Sequence, residues 1–365
     1  MIVEKFINKY LKFQSCTYMN FHYQNFMVEY CKLPYENEKY EILIKREEET
    51  NEKYGYDPWK RPIDELLDFS IINLDKPKGP TSHQVSGWIK NILNKKAGHS
   101  GTLDPKVTGV LPIGIGRGTK VLKLLLTAGK EYIAWMHIHK DIDENKVYEV
   151  LNKFQGKIVQ KPPLKSAVKK VPREKNVYCI RVLEVDGRDW LLQVATEAGV
   201  YIRKLIDDIG KDLGTKAHMQ QLRRIRVGEL KEDSEKYPLS TLQDIVDSIW
   251  FWRNENNEEY IRKVFLPAEV AAEHTKKIWI SDTAVDAIAH GANLTVKGIS
   301  KLYSNIKERD LVSIFTLKGE LVAYGTALMD SQKILSSEKG IAVDIDRVIM
   351  KRGLYPRVWK KSNVQ

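Results

Sequence analysis

From residue 70 onward the spacing of apolar positions predicts regular elements. Residues 70–74 are an apolar strand running into the turn DKPKGP. Val85, Ile89, Ile92 and Leu93 then fall at i, i+4, i+7 and i+8, one face of an amphipathic helix that Thr81 or Ser82 can cap and that Gly98 ends. The run GHSGTLDPKVTGVLPIGIG is glycine-rich and aperiodic, which predicts a long structured loop. Residues 131–138 alternate as a strand with Tyr132, Ala134, Met136 and Ile138 on one side. Two further strands, 177–185 and 189–196, meet at Asp186-Gly187, a hairpin signal. Ile202, Leu205, Ile206, Ile209 and Leu213 mark a second amphipathic helix. Strands and helices mix without a steady βαβ rhythm, so the fold class is α/β on a mixed, largely antiparallel sheet.

The rest of the chain has a different texture. Residues 228–275 read as a charged, Trp-containing bridge. Residues 276–353 carry the short strands KKIWI, DLVSIFTL, ELVAYGTAL and IAVDIDRVIM, a small barrel-like all-β module. Residues 34–62 are extended and polar, punctuated by Pro34, Gly55, Pro58 and Pro62, and read as a wrapping arm. Residues 1–26 crowd Phe6, Tyr10, Phe13, Tyr18, Phe21, Tyr23 and Phe26 ahead of a second methionine, Met27.

Charge narrows the partners. Lys and Arg number 59 against 48 Asp and Glu, a net charge of +11. That surplus favours a polyanion, through release of counterions. Cys16, Cys31 and Cys179 are an odd, sparse set without a CxxC pair, which argues against a disulfide framework and a zinc site and fits a reducing, cytoplasmic setting. No apolar run approaches the roughly 18–20 residues of a membrane span.

Individual residues admit plain readings. Asp104 precedes Pro105, which disfavours helical backbone at the aspartate, so the carboxylate sits on a shaped loop. Arg203 has Asp207 four residues on, the spacing of a surface ion pair. Tyr132 reads as strand packing, His99 as a turn residue, Leu222 as core. The runs Lys95-Lys96, Lys169-Lys170, Arg223-Arg224-Arg226 and Lys276-Lys277 each read as solvated surface. The stretch LKSAVKKVPREK is a basic loop by composition.

Order and spacing change the picture. LDKPKGPTSHQV, GHSGTLDPKVTGVLPIGIGRGTK, KEY, KPPLKSAVK, AGVYIRKLIDDIG and AHMQQLRRIRVG together resemble the catalytic core of the tRNA-pseudouridine synthase B family, and the likeness runs from about residue 30 to 359. NLDKPKGPTSH, KSAVKK, EAG and AHMQQLRR, with a short interval between Tyr132 and Lys161, resemble the dyskerin-type branch. The brief C-terminal tail KKSNVQ resembles its archaeal members.

The resemblance implies a cofactor-free and metal-free isomerisation of uridine to pseudouridine in RNA. In it Asp104 is the catalytic carboxylate beside the ribose, attacking C1′ or taking a proton from C2′. Arg203 pairs with Asp104, and Tyr132 is the platform for the flipped base. Leu222 closes the pocket and His99 lies near the nucleotide. Lys169, Lys170, Arg173 and Lys175 contact substrate phosphates. Implied partners are a box H/ACA guide RNA, rRNA and, as an open case, tRNA substrates. A small scaffold protein, a glycine-arginine-rich-type protein and a kink-turn-binding ribosomal-type protein complete the implied particle. The expected organisation is an extension at 1–26, an arm at 27–65 packed on the C-terminal module and a pseudouridine synthase domain at 66–275. A PUA RNA-binding pseudo-barrel at 276–355 and a basic tail at 356–365 follow. Residues 1–26 have no counterpart in the resemblance, and Pro172 and Glu174 depart from its more densely basic loop. A stand-alone tRNA synthase and a non-enzymatic RNA-binding scaffold are the competing readings.

Overall fold

The computed structural model describes residues 29–162 and 171–357. The arm supplies the first strand, β1 (Ile42–Ile44), which pairs antiparallel with residues 301–303 far along the chain. Helix α1 (Ile63–Asp68) then leads into a ten-stranded sheet. Its strands are β2 (Phe69–Lys76), β3 (Ala97–His99), β4 (Thr108–Gly116), β5 (Lys130–Ile138), β6 (Gly156–Gln160), β7 (Arg173–Asp186), β8 (Asp189–Thr196), β9 (Ala217–Val227), β10 (Leu230–Lys231) and β11 (Leu266–Pro267). The order is β11-β2-β4-β9-β5-β8-β7-β6, with β3 and β10 on the edges of β4 and β9. All pairings are antiparallel except β4 with β9.

Helices α2 (Ser82–Leu93), α3 (Leu122–Thr127), α4 (Glu144–Lys153), α5 (Ile202–Asp212), α6 (Leu242–Glu255) and α7 (Glu258–Val264) flank this sheet. Tyr132, Ala134, Met136 and Ile138 of β5 face the apolar sides of α4 and α5, among them Val147, Val150, Leu205 and Ile209. In a second cluster Val85 and Ile89 of α2 pack with Leu103, Val107 and Leu111. Leu222 touches both clusters and sits at their junction.

Three expectations change. The aperiodic run from Gly98 is not all loop: β4 is a nine-residue strand, buried over its central seven positions. A strand covered on both faces has no alternation to read. The helix α2 ends at Leu93, where Asn94 takes the left-handed conformation (φ 49°), and Gly98 instead belongs to β3. Ile92 turns out exposed. The 228–275 bridge contains α6 and α7, whose period is blurred by exposed Val246 and Trp250.

The C-terminal module is a seven-stranded sheet. It is built from β12 (Lys276–Ile280), β13 (Leu294–Thr295), β14 (Ile299–Tyr303), β15 (Leu311–Thr316), β16 (Leu321–Ala327) and β17 (Ile341–Val348), with β1 added to the edge beside β14. Lys45, just past β1, donates from Nζ to the carbonyls of Ile334, Leu335 and Ser337 and so fastens the arm to this module. The two sheets share an apolar cluster in which Phe69, Leu124 and Leu125 meet Phe315, Leu321 and Tyr324. Buried Arg61 and Glu269 pair at 2.8 Å, and Glu269 also accepts from Leu321 N–H.

The cysteine expectation is corrected. Cys31 and Cys179 form a disulfide that joins the start of the arm to β7. An odd count excludes a fully paired set, not a single bond between residues brought together by the fold. No helix among the described residues is long and apolar enough to cross a membrane.

Candidate active site

The loop between β3 and β4 carries Asp104, and its shape is fixed from below. Ser82, the first residue of α2, accepts from Leu103 N–H at 2.8 Å and donates to Leu103 O at 3.0 Å. Thr81, not Ser82, caps the helix, in a reciprocal box with Gln84. Lys76, at the end of β2, is buried, and its Nζ donates to the carbonyls of Pro77, Pro105 and Val107 at 2.9–3.3 Å. Burial lowers the pKa of Lys76, and the negative charge of Asp104 acts the other way. The Asp104 carbonyl accepts from Val107 N–H, closing a turn. Asp104 itself is left exposed on the rim.

Arg203 reaches this carboxylate from the first turn of α5. Its guanidinium pairs with Asp104, the two side chains remaining 64% and 52% exposed. Asp207 is not its partner: Lys211 takes Asp207 at 2.6 Å, and Lys204 pairs with Asp208. The start of α5 is held by Gln160 of β6, which accepts from Tyr201 N–H at 3.0 Å. Beyond it, Ile202, Leu205, Ile206 and Ile209 are buried, so the apolar face of α5 fixes which way Arg203 projects.

Tyr132 is buried in β5 beside Arg224 of β9, two positions from the Ala134–Leu222 pair. Side chains two apart in a strand share a face, so Tyr132 and Leu222 line the same side of the sheet. His99 ends β3, and its buried Nδ1 has no hydrogen-bond partner among the described residues. Burial, then the charges of Arg224 and His83, lower its pKa. At Gly109 (φ +102°) β4 passes so close to β9 that a Cβ would sit 2.1 Å from the Arg224 carbonyl. Only glycine allows that parallel contact beside the loop.

The basic positions divide. Lys169 and Lys170 lie outside the described residues. Arg173 and Lys175 are not in the loop but in β7, opposite Gln160 and Ile158. Lys175 is committed to Glu197 at 2.5 Å, and Asn176 shares that carboxylate. The loop ends earlier than composition suggests because β6 continues the ladder. The run Arg223-Arg224-Arg226 is not solvated surface either. Arg223 bridges Asp75 and Glu232, Arg226 pairs with Glu36, and Arg224 is wholly buried. Ser82, Lys76 and Arg224 all sit inside the matching strings. Their residue types alone suggested only a cap, a turn and a surface.

Comparison with known proteins covers nearly all of this architecture. The TruB family pseudouridylate synthase N-terminal domain matches residues 90–202 and the tRNA pseudouridylate synthase B C-terminal domain residues 203–273. A PUA domain matches 276–349 and a DKCLD (NUC011) domain 30–86. The "Probable tRNA pseudouridine synthase B" of Nanoarchaeum equitans is 64% identical over 90% of this chain and 93% of its own. That of Pyrococcus furiosus is 55% identical over 89% and 95%. Among solved structures, the matching chain of an H/ACA RNP bound to a substrate RNA containing 2′-deoxyuridine is 52% identical, over 90% of this chain and all of that one, with a TM-score of 0.83. A chain of a Cbf5-Nop10-Gar1 complex is 54% identical over 88% and 98%, with a TM-score of 0.84.

Proposed function

The chain belongs to the TruB family of pseudouridylate synthases, and on that premise we propose that it is the catalytic subunit of a box H/ACA guide ribonucleoprotein. It is an isomerase: the N1–C1′ bond of a uridine in RNA breaks, the base turns, and a C5–C1′ bond forms while C5 loses a proton and N1 gains one. The guide role is supported by the likeness, over at least 88% of this chain, to chains solved inside H/ACA assemblies. That observation carries the reading. The proposed partners are a guide RNA, the small scaffold protein, the glycine-arginine-rich-type protein and the kink-turn-binding protein, and the solved relatives include complexes with Nop10, with Gar1 and with a substrate RNA. The proposed substrates are rRNA and, in a second arm, tRNA. The proposed location is the cytoplasm.

For the site, Asp104 is the carboxylate that acts at the ribose, and Arg203 is its cation. The support is their pairing across the mouth of the fold, made by two elements 99 residues apart in sequence. A uridine must leave its stack before its sugar can meet a carboxylate. Tyr132 is the platform for the flipped base. Leu222 is the apolar wall, and His99 flanks the nucleotide. Lys169, Lys170 and Arg173 contact the substrate backbone. Lys175, tied to Glu197, shapes the base of that loop. The synthase domain is assigned to 66–275, the RNA-anchoring PUA domain to 276–355 and the arm that packs on it to 27–65. The extension at 1–26 and most of the tail at 356–365 lie outside the described residues.

One assay tests the reading. Pseudouridine is measured on rRNA and tRNA fragments, with and without guide RNA and the partner proteins. Modification of rRNA only in the presence of guide supports it. Modification of tRNA alone favours the stand-alone enzyme, and no product in any arm favours a scaffold.

A further inference from the structure

The ten-stranded sheet has a seam. On one side lie β11, β2 and β4 with the edge strand β3, on the other β9, β5, β8, β7 and β6. Within the sheet the halves meet where β4 runs parallel to β9, and that contact pairs two positions, Thr108 with Arg223 and Gly109 with Arg224. By contrast β2 and β4 pair continuously from Phe69–Gly116 to Lys76–Gly109. The two charged groups of the site stand on opposite sides of the seam. Asp104 is on the loop between β3 and β4. Arg203 is on α5, whose Leu205 and Ile209 share an apolar cluster with Tyr132 and Met136 of β5. How closely the two meet depends on how the halves are set.

Two neighbouring arginines of β9 cross the seam, in different ways. Arg223 reaches Asp75 of β2 at 3.0 Å, an ordinary ion pair. The side chain of Arg224 is wholly buried, its Nε donating to Val110 O at 2.7 Å and its Nη2 to Gly101 O at 3.2 Å. Among the described residues no carboxylate pairs with it. Taking a guanidinium out of water without a counter-charge is expensive. Arg223 already ties the halves together, so fastening alone does not account for a second, unpaired cation. The acceptors are informative. Gly101 lies three residues before Asp104, and Val110 lies in β4 just past the same loop. They are reached from two nitrogens of one rigid plane, which fixes both ends of the loop against β9 at once.

We propose that Arg224 is a positioning residue that, by clasping both ends of the Asp104 loop across the seam, sets the approach of Asp104 to Arg203. The inference rests on the reading of Asp104 and Arg203 as the reacting carboxylate and its cation, and extends it to a group that never touches substrate. A lysine there keeps the charge but offers one nitrogen where two are used. A residue that only stabilised the seam would act on the rate independently of Arg203.

A double-mutant cycle separates the two. Single-turnover pseudouridine formation, target-RNA affinity and melting temperature are measured in the assembled guide complex for wild type, Arg224→Lys, Arg203→Ala and the double variant. Arg224→Lys is expected to slow the reaction about ten-fold in the wild-type background. In the Arg203→Ala background it should slow it by under about two-fold, because the approach it sets is already lost. Target-RNA affinity should stay within about two-fold of wild type, a rate effect without a binding effect. Arg224→Lys at the wild-type rate, or an equal loss in both backgrounds, overturns the proposal and leaves the site reading intact. Arg203→Ala at the wild-type rate overturns the site reading and the proposal with it. Should Arg224→Lys fail to fold, Arg224→Met takes its place in the same cycle, since it removes the buried charge together with the fork. If neither variant folds, Arg224 is a requirement of the fold and the proposal fails.

Discussion

The guanidinium of Arg203 pairs with Asp104, 99 residues away, and not with Asp207 four residues along its own helix. Helix geometry allowed the second pairing, but Lys211 and Lys204 already occupy the acidic face of α5. With both partners more than half exposed, the ion pair contributes under about 1 kcal/mol to the free protein. Its value rises when a base covers it and water leaves. Arg203→Ala is therefore expected to shift the melting temperature little and to slow single-turnover catalysis by about 10²-fold or more. Arg203→Lys should recover only part, because an ammonium lacks the fork. A wild-type rate for the alanine variant would remove Arg203 from the site.

Asp104→Asn keeps the size of the side chain and the Val107 turn while removing the charge. Loss of product on the order of 10³-fold or more is expected, with guide-RNA affinity unchanged. Appreciable turnover by the purified variant would defeat the assignment.

Ser82→Ala removes both hydrogen bonds to Leu103 and leaves a buried N–H and C=O without partners. Each orphaned group costs about 1–3 kcal/mol. With two such groups, chemical denaturation should show a loss of about 2–6 kcal/mol, and turnover should fall as the Asp104 loop loosens. An unchanged midpoint would mean that water replaces the hydroxyl.

How much of this was legible beforehand depended on what each residue hides behind. Helix α5, the β7–β8 hairpin and strand β5 announce themselves because each is apolar on one face only. Strand β4 did not, since both its faces are covered. The pairing of Asp104 with Arg203 was legible only through resemblance, because spacing alone favoured Asp207. Arg223, Arg224 and Arg226 looked like surface, and no local pattern distinguishes a buried arginine whose partners are Asp75, Glu36 and distant carbonyls.

Lys130, two residues before Tyr132, is buried with Nζ donating to the carbonyls of Leu125, Leu126 and Ala128. Burial pushes its pKa down to about 7. In the unfolded chain a lysine titrates near 10.4. Between those values the unfolded state binds the extra proton, so this group makes folding more favourable as pH rises from about 7 towards 10. Lys130→Met removes that dependence. Stability measured across this window should climb less steeply with pH in the variant than in wild type. Parallel profiles would show that Lys130 keeps its proton in the folded protein.

The Cys31–Cys179 disulfide closes a 148-residue stretch of chain. It pins the start of the arm onto β7. Cys31 is buried beside Leu33 and Ala195, so in the oxidised protein reductant reaches it poorly. Cross-linking so long a loop restricts the unfolded chain and stabilises the fold by up to about 5 kcal/mol. Disulfides of this kind do occur in intracellular proteins of hyperthermophilic archaea. Peptide mapping without reductant should recover the 31–179 pair. Cys179→Ser should lower the melting temperature by several degrees while leaving single-turnover rates within about two-fold, since neither cysteine approaches Asp104. Reduction should lower the wild-type melting temperature to that of the variant. A wild-type melting temperature indifferent to reductant, or peptides with both thiols free, would show that the pair is not joined in solution and that packing alone holds this segment to the sheet.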